Sequence, residues 1–406
     1  MHTYLGGIRL KRISNKVVAF LLCFFILLFF PLSILSQGLP FEIESPSALL
    51  MDYETGTILF EKNPHEKLPI ASITKVMTTL LALEAIEDGR IGLDEEVTVS
   101  EYAASMGGSQ VFLEGGEKLP VSAILKAVVV SSGNDASVAI AEKISGTEET
   151  FVSSMNERAK ELGMKNTRFS DCTGLSDEGN YSTVYDISIM SRELLKHPIF
   201  FKWSTIWLDN LEEAKNNTEL TNTNRLVRFY DGCDGIKTGS TSKAKYCLTA
   251  TAKRGNLRLI SIILAAPTSK TRFNEASKLM DYGFANYEAI PIIRKDTLVK
   301  EHIDIIGGKE MVLSGLASED LSLLQKKGES EDYELVNIIE EPIKAPIKRG
   351  DVIGSVLVKK DGKELDSVDI LADRDIEVAN IYDYFVRIIL NWSSATDNKT
   401  DKTDDK

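Results

Sequence analysis

The sequence predicts an α+β fold: a larger domain with one sheet flanked by helices, then a small all-β domain and a C-terminal amphipathic helix. Three observations predict this arrangement. Strand-like segments stand at both ends of the first part of the chain, with helical periodicity of apolar residues between them. Beyond about Ile290 apolar and polar residues alternate instead. The chain has 406 residues, more than a single hydrophobic core usually supports.

Residues 1–37 have the features of a secretory signal peptide. Basic residues and no acidic residue precede an apolar run from Val17 to Leu35, and the small residues Ser36 and Gly38 follow it, near the expected cleavage site. An uncleaved membrane anchor is the alternative, because the run is almost long enough to cross a bilayer. In either case we expect the rest of the chain to be exported.

Residues 38–290 are expected to form the larger domain. Its predicted elements are a hairpin with strands Ser47–Asp52 and Thr57–Glu61, helices over Ser72–Asp88 and Val121–Ser131, and a strand over Leu257–Ala266. The first helix is predicted because apolar residues recur three and four positions apart and a glycine follows its end. The last strand is a continuous β-branched run, which indicates a central strand buried on both faces.

Residues 291–375 are expected to form the small all-β domain. The segments Val352–Lys359 and Leu365–Leu371 alternate in polarity on either side of a polar turn that contains Gly362. This pattern is typical of an antiparallel hairpin with one buried face. No cluster of residues suited to catalysis occurs in this part of the chain.

The last predicted element is an amphipathic helix over residues 376–392, followed by a polar, disordered tail over residues 393–406. Phe385, Ile389 and Trp392 fall on its apolar face. Because the helix follows a completed domain and leads only into the tail, we expect it to lie in a membrane interface rather than to pack on its own protein. Acidic residues outnumber basic ones in the chain, 60 against 47, so this attachment would be hydrophobic rather than electrostatic.

Charge and cysteine content exclude several classes of function. The formal charge of −13 argues against a nucleic-acid partner, because phosphates favour a basic surface. Three cysteines follow the signal, Cys172, Cys233 and Cys247, too few for a disulfide framework. One pair could form, although free buried thiols are the preferred interpretation. The histidines lie far from one another and from the cysteines in the sequence, so no metal site and no other cofactor are expected.

The first candidate site is the S-x-x-K motif formed by Ser72 and Lys75 at the start of a predicted helix. Residues three apart share a helical face, so the hydroxyl and the amine can meet. The positive potential of a helix N-terminus disfavours a charged ammonium, and an uncharged Lys75 could deprotonate Ser72 without a histidine. The spacing also occurs at Ser240–Lys243 and Ser242–Lys245, so the motif alone is weak evidence.

The second candidate site is the S-x-N motif formed by Ser132 and Asn134, directly after the second predicted helix. On a tight turn at Gly133, the hydroxyl could move a proton and the amide could hold a substrate amide. A plain loop or helix cap is the alternative, since Ser154 and Asn156 have the same spacing by chance.

The third candidate site is the K-T-G motif at Lys237, Thr238 and Gly239, ahead of a predicted strand. It could present a cation and a hydroxyl to a carboxylate, while the glycine lets a substrate backbone approach closely. A sheet edge at this point could also bind an extended peptide by strand addition. The alternative is a surface turn with a solvated lysine.

In this order the three motifs resemble those of the serine penicillin-binding protein and β-lactamase superfamily. The resemblance is closest to the low-molecular-weight penicillin-binding proteins that are D-alanyl-D-alanine carboxypeptidases, and it covers about residues 40–290. The matching segments are Pro69–Thr78, Gly108–Glu117, Ser131–Ala136, Thr173–Ser182, Asp234–Ser242 and Arg272–Tyr282. The resemblance implies a β-lactamase/transpeptidase-like fold for the larger domain, and the small β-domain and final helix match the layout of that family.

One position departs from the family pattern. Asn180 stands where family members usually have histidine, in Gly-Asn-Tyr-Ser rather than Gly-His-Tyr-Ser. We expect little effect on the chemistry, although local contacts with the substrate could change.

The resemblance also implies a mechanism. Ser72 would attack the carbonyl between the two terminal D-alanines of a peptidoglycan stem peptide, and water would then hydrolyse the acyl-enzyme. β-Lactam antibiotics would leave a slowly released adduct on the same serine. Arg254 and Arg272 are further candidates for carboxylate recognition. The implied catalytic residues are Ser72, Lys75 and Ser132, and the implied substrate-binding residues are Asn134, Lys237, Thr238, Gly239 and Ser240.

Three alternative functions stay open. A class A β-lactamase shares the motifs, but it usually has S-D-N, a dedicated glutamate base and no C-terminal β-domain. A D,D-endopeptidase acting on cross-links would use the same site. The third alternative is a non-catalytic cell-wall binding or scaffold protein. The intact set of Ser72, Lys75, Ser132 and Lys237 argues against it, because such a protein does not need these catalytic residues. The expected location is extracytoplasmic, with peripheral attachment to the outer face of the cytoplasmic membrane through the C-terminal helix.

Overall fold

The structure is a computed structural model that describes residues 41–176, 179–329, 332–339, 342–360 and 362–389. The predicted signal peptide and the predicted polar tail lie outside these residues. From Ile43 onwards the described residues belong to one compact unit.

The larger domain contains nine strands and nine α-helices within the described residues. The strands are β1 (Ser47–Asp52), β2 (Ile58–Lys62), β3 (Glu96–Thr98), β4 (Lys118–Pro120), β5 (Leu208–Leu211), β6 (Thr218–Thr221), β7 (Cys233–Thr241), β8 (Lys245–Arg254) and β9 (Leu257–Ala266). The helices are α1 (Lys75–Glu87), α2 (Glu101–Ala104), α3 (Val121–Ser131), α4 (Asn134–Ser145), α5 (Glu148–Glu161), α6 (Val184–Leu194), α7 (Phe201–Ser204), α8 (Leu226–Phe229) and α9 (Ser269–Asn286). Short 3-10 turns, Ala71–Thr74 and Pro198–Phe200, precede α1 and α7.

One antiparallel sheet of five strands organises this domain, in the order β2-β1-β9-β8-β7. Helix α9 packs on β8 and β9, and α6 packs on β9 and β1, so the sheet is flanked by helices as predicted. The predicted central strand has its predicted bounds and is β9, buried along most of its length. Strand β7 forms an edge of the sheet.

The two predicted helices are present, with one difference at the first of them. Helix α3 has the predicted bounds, but the segment that begins at Ser72 starts as a 3-10 turn and becomes α-helical at Lys75. Helix α1 is buried almost all round because it lies inside the domain, in contact with α4, α6 and α3. The residues that carry the first motif are therefore inside the protein.

The small domain is built from strands, as predicted. They are β10 (Tyr287–Ile293), β11 (Leu298–Ile306), β12 (Val312–Ala317), β13 (Leu321–Lys326), β14 (Glu334–Ile339), β15 (Ile343–Lys344), β16 (Val352–Lys360) and β17 (Lys363–Ala372). Six of them form a sheet in the order β14-β16-β17-β12-β11-β15, and β10 pairs with β13. This domain has its own aliphatic core, which includes Leu313, Val358 and Ile370.

The final described element, α10, is helical over residues 381–389. Asn380 caps it, because its side-chain oxygen accepts the backbone N–H groups of Tyr382 and Asp383, at 2.8 and 3.1 Å. The predicted start at residue 376 is wrong: Ile376 is buried in the core of the small domain and exchanges two backbone hydrogen bonds with Ile347. The predicted end of the helix lies outside the described residues. No helix of the described part of the chain is long and apolar enough to cross a membrane.

Candidate active site

Ser72 lies on a strained turn at the start of α1. The preceding residue, Ala71, has φ 48°, in the left-handed region that residues with a side chain rarely adopt. Such strain is retained where the surrounding structure requires it, and it concentrates at functional sites. Lys75 Nζ lies 3.2 Å from Ser72 Oγ, so the two side chains of the first motif meet as predicted.

Lys75 is fully buried and its amine has two further acceptors. Its Nζ donates to Asn134 Oδ1 and to the carbonyl oxygen of Thr173, each at 2.6 Å. Burial disfavours the charged ammonium and lowers the pKa of Lys75 from 10.5 to about 8, although the carboxylates of Asp171 and Asp135 oppose the shift. A lysine with this pKa is neutral often enough near neutral pH to accept a proton from a hydroxyl.

The second motif forms the tight connection between α3 and α4. Ser132 takes a left-handed conformation, with φ 63°, and Asn134 is the first residue of α4. The buried Ser132 Oγ has no hydrogen-bond partner among the described residues. Asn134 donates its amide to the carbonyl oxygen of Gly107 at 2.7 Å while it accepts from Lys75. The first two motifs are therefore joined by a direct hydrogen bond.

Asp135 supports this corner and was not singled out from the sequence. Its carboxylate accepts the backbone N–H groups of Val111 and Leu113, at 3.0 and 3.2 Å, and so holds the segment after Gly108 next to Asn134. In the sequence, the position of Asp135 directly after the S-x-N motif is the feature that could have indicated its role.

The third motif lies on the edge strand β7 itself, rather than ahead of a strand or on a surface turn. This strand passes directly beside the turn that carries Ser72. A Cβ atom at Gly239 would lie 2.7 Å from the carbonyl oxygen of Ile70 and 3.1 Å from Ser72 N. Only glycine allows this approach, so the requirement for Gly239 is steric.

Lys237 is a buried cation with no ion pair among the described residues. Within the described ranges its Nζ donates to the carbonyl oxygen of Thr238, at 3.2 Å. Burial, followed by the charges of Lys75 and Arg272, lowers its pKa well below the ordinary value. An arriving anion would relieve this unfavourable environment, so the position suits recognition of a carboxylate.

The other residues of the third motif extend the site along β7. Thr238 donates its hydroxyl to Thr223 Oγ1 at 2.8 Å, and Thr223 was missed from the sequence because no pattern marks it. Ser240 is exposed and lines a cleft of about 400 Å³ with Tyr246 and Pro267.

The two candidate arginines have different surroundings. Arg272 Nη1 donates to the carbonyl oxygens of Gly239 and Cys247, at 3.1 and 3.2 Å, and so belongs to the site. Arg254 packs instead on the rings of Tyr230 and Phe284. The structure does not bring Arg254 together with the three motifs.

A backbone segment completes the site and was also missed. The carbonyl oxygen of Thr173 accepts from Lys75, and a Cβ atom at Gly174 would overlap the carbonyl oxygen of Ala71. No side-chain pattern marks a carbonyl oxygen, so sequence reasoning had no signal for this contact.

The cysteines take no part in a disulfide or a metal cluster among the described residues. Cys172, Cys233 and Cys247 are buried and free, and burial raises the pKa of Cys247 to about 11. No three His, Cys, Asp or Glu side chains of the described ranges are grouped as metal ligands would be. The contact of Ser72 with the buried amine of Lys75 can perform nucleophilic catalysis by a serine with a lysine base.

Comparisons with known proteins agree with this geometry. Residues 35–268 match the family model for D-alanyl-D-alanine carboxypeptidase, and residues 287–378 match that for the C-terminal domain of penicillin-binding protein 5. The chain is 44% identical to D-alanyl-D-alanine carboxypeptidase DacF of Bacillus subtilis, over 86% of this chain and 90% of the relative.

Two solved structures are similar as well. Penicillin-binding protein 5 of Haemophilus influenzae has a TM-score of 0.66 and 32% identity, over 83% of this chain and 99% of its own. Ampicillin-bound penicillin-binding protein D2 of Listeria monocytogenes has a TM-score of 0.52 and 32% identity, over 60% of this chain and 98% of its own. These findings confirm the resemblance inferred from the motifs and the fold class that it implies. The chain therefore belongs to the D-alanyl-D-alanine carboxypeptidase family of serine peptidases.

Proposed function

We propose that the protein removes the terminal D-alanine from peptidoglycan stem peptides through an acyl-enzyme on Ser72, and that β-lactams acylate the same serine. The observation that carries this proposal is the contact of Ser72 Oγ with the buried, weakly basic amine of Lys75. Membership of the carboxypeptidase family supports the choice of substrate.

Acylation begins when neutral Lys75 takes the proton of Ser72 and Oγ attacks the carbonyl carbon between the two D-alanines. The backbone N–H groups of Ser72 and Ser240 stabilise the oxyanion, each typically worth about 3 kcal/mol. Ser132 passes its hydroxyl proton to the leaving nitrogen and takes one from protonated Lys75 in exchange, the C–N bond breaks and D-alanine departs. The hydroxyl of Ser132, which has no hydrogen-bond partner in the described part of the chain, supports this role. Water then cleaves the ester and restores Ser72.

Substrate binding uses the groups that surround the nucleophile. Lys237 and Thr238 bind the terminal carboxylate, which supplies the buried lysine with the anion that it lacks among the described residues. Asn134 binds the stem-peptide amide. The free edge of β7 accepts the extended peptide by main-chain hydrogen bonds, and Gly239 keeps the two backbones close.

Labelled penicillin and a D-Ala-D-Ala peptide test this proposal together. We expect mass spectrometry to find the adduct on Ser72, and we expect Ser72→Ala to lose both the adduct and D-alanine release. Ser261→Ala is the matched control, because Ser261 is buried in the same domain and its hydroxyl has no partner among the described residues. No adduct on the unmodified protein would refute the proposal. Repeated penicillin turnover would indicate a β-lactamase, and release only from cross-linked peptides would indicate an endopeptidase.

We further propose that the protein is exported, that residues 1–37 direct this export, and that α10 holds the protein on the outer face of the cytoplasmic membrane. The orientation of α10 supports this attachment. Arg387 donates to the carbonyl oxygens of Gly308 and Lys309, so the polar side of the helix contacts the small domain. Ile381 and Phe385 are 89% and 59% exposed. An apolar face that its own domain leaves uncovered suits a lipid interface.

Vesicle binding tests the attachment. Removal of the residues after Ala379 keeps Ile376 in the core of the small domain and should abolish binding to phospholipid vesicles while D-alanine release continues. Phe385→Asp should weaken binding in the full-length mature protein, whereas Asp383→Asn, on the other side of the helix, should not. Because the contact is hydrophobic, high salt should leave binding unchanged. Failure of the intact mature protein to bind vesicles would refute the attachment.

A further inference from the structure

Asn180, the position that departs from the family pattern, is buried in the loop before α6. Only 3% of the residue is exposed. Its side-chain oxygen accepts the backbone N–H of Ser170 at 2.9 Å, and its amide nitrogen donates to the carboxylate of Asp171. Both functional groups of Asn180 are therefore engaged by its own loop.

Asp171 in turn closes a tight turn over residues 171–174. Its Oδ1 accepts the backbone N–H and the hydroxyl of Thr173, both at 2.8 Å, and the backbone N–H of Gly174 at 2.5 Å. Asn180 holds the other carboxylate oxygen. A carboxylate with this many donors has a fixed orientation, and the turn that it closes is fixed as well.

This turn packs directly on the nucleophile and its base. The carbonyl oxygen of Thr173 accepts from Lys75 Nζ at 2.6 Å, and that of Cys172 accepts from Thr78 Oγ1, one helical turn further along α1, at 2.7 Å. Gly174 lies so close to Ala71 that a side chain at this position would overlap the carbonyl oxygen of Ala71. The turn thus contacts α1 at Lys75 and at Thr78, and it also contacts Ala71, the residue before Ser72.

We propose that Asn180 and Asp171 are positioning residues that fix the carbonyl of Thr173 and, through it, place the amine of Lys75 against Ser72. This inference rests on the proposed function of Ser72 and Lys75. It assigns a role to the asparagine that this chain has in place of the usual histidine: a side-chain donor to Asp171.

The same pair affects the protonation of Lys75. Four titratable groups face its amine: Asp171 and Cys172 from the turn, Asp135 from α4, and Lys237 from β7. Burial raises the pKa of Cys172 well above its ordinary value, so this thiol is neutral. The negative charge of Asp171 favours the protonated form of Lys75. Loss of that charge lowers the pKa of Lys75, and the acidic limb of the acylation rate then moves to lower pH.

Penicillin acylation rates measured against pH test this inference. Asn180→Ala removes the donor, and we expect a loss of about 10- to 100-fold, as for other small misplacements of a catalytic group. Asn180→His, which keeps a donor, should recover most of the rate. Asp171→Asn should move the acidic limb to lower pH. Asp186→Asn is the matched control: Asp186 is buried and accepts from Asn166 N and Thr167 Oγ1, at 2.7 and 2.8 Å, but does not face Lys75.

The outcomes separate a positioning role from a structural one. Asp186→Asn should lower the melting temperature and leave the pH profile unchanged. The inference is overturned if folded Asn180→Ala acylates as fast as the unmodified protein, or if Asp171→Asn leaves the acidic limb in place. If Asn180→Ala does not fold, two other measurements decide whether the inference holds. They are the acylation rate of Asn180→His and the position of the acidic limb in Asp171→Asn. A protein whose unmodified form is not acylated at all refutes the proposed function, and the inference with it.

Discussion

The two domains of this protein bury different kinds of side chain. Among the described residues, every buried polar or charged side chain lies at or before Glu275, and the small β-domain buries only apolar ones. Burial of polar groups costs free energy unless they are well paired. In the larger domain this cost falls where Lys75, Lys237 and Arg272 lie close together. The proposed chemistry needs Lys75 as a desolvated amine and Lys237 as a cation without an ion pair. Changes in the larger domain should therefore affect activity most, and changes in the β-domain should affect stability alone.

The largest difference between the domains should appear when a lysine is replaced by arginine. Lys75→Arg keeps the charge but cannot accept the proton of Ser72, because a guanidinium stays protonated. We expect penicillin acylation to fall on the order of 10⁴-fold, the upper range for a general base. Lys359→Arg, on β16, should leave the acylation rate unchanged. Stopped-flow measurement with a fluorescent penicillin checks both variants, and appreciable acylation of Lys75→Arg would exclude Lys75 as the base.

Two glycines give the next largest contrast. An alanine side chain at Gly239 would press on the carbonyl oxygen of Ile70 and on Ser72 N, so Gly239→Ala should lower kcat/KM about 100-fold. At Gly315, on β12, the added Cβ would overlap the side chain of Ile370. Gly315→Ala should therefore cost about 1–3 kcal/mol of β-domain stability without loss of D-alanine release. Equal activity loss in both variants would contradict the division between the domains.

The acidic limb of the acylation rate should reflect the titration of Lys75. Its pKa is lowered to about 8 by burial, and only the neutral amine can act as base. Below pH 8 the neutral fraction falls, so the acylation rate should drop about tenfold per pH unit, and above pH 8 it should level off. Rates measured across this range check the expectation. A plateau that extends well below pH 7 would show that Lys75 is not the group that titrates.

The last contrast between the domains concerns stability, on which two substitutions should have effects of opposite sign. Lys237→Met removes a buried cation that lacks an ion pair among the described residues, so it should stabilise the larger domain by about 1 kcal/mol while substrate binding is lost. Ile370→Ala leaves a cavity in the β-domain and should cost about 2–5 kcal/mol with activity retained. Calorimetry together with D-alanine release distinguishes the two. A destabilised Lys237→Met would show that its buried charge is compensated.

Three segments with the S-x-x-K spacing show how far a motif can predict a site. Ser72 and Lys75 lie at the start of a helix and are in contact, as their spacing predicts. In Ser240–Lys243 and Ser242–Lys245 the same spacing falls at the end of β7, in the connection to β8 and at the first residue of β8. Residues three apart share a face only on a helix. Local structure therefore decides which copy can act, and periodicity predicted the right one.

Element boundaries were predicted well where many residues contribute to a pattern. Strand β9 and helix α3 have their predicted bounds because each is a long apolar run. The start of α10 was wrong by five residues, since one apolar residue, Ile376, contributes to the helical pattern and yet packs in the β-domain core. A single residue fits a helical or a strand pattern equally well, and only its tertiary neighbours decide between them.

The sequence by itself determined the order of the motifs, the types of the reacting groups and the alternation of helices and strands. These properties depend on neighbours a few residues apart. Tertiary structure alone decided that β7 is an edge strand beside Ser72, that the carbonyl of Thr173 accepts from Lys75 and that Asn180 donates to Asp171. The physical reason is that the pKa of Lys75 and the reach of its amine depend on desolvation and on partners far away in the chain, which no local pattern contains.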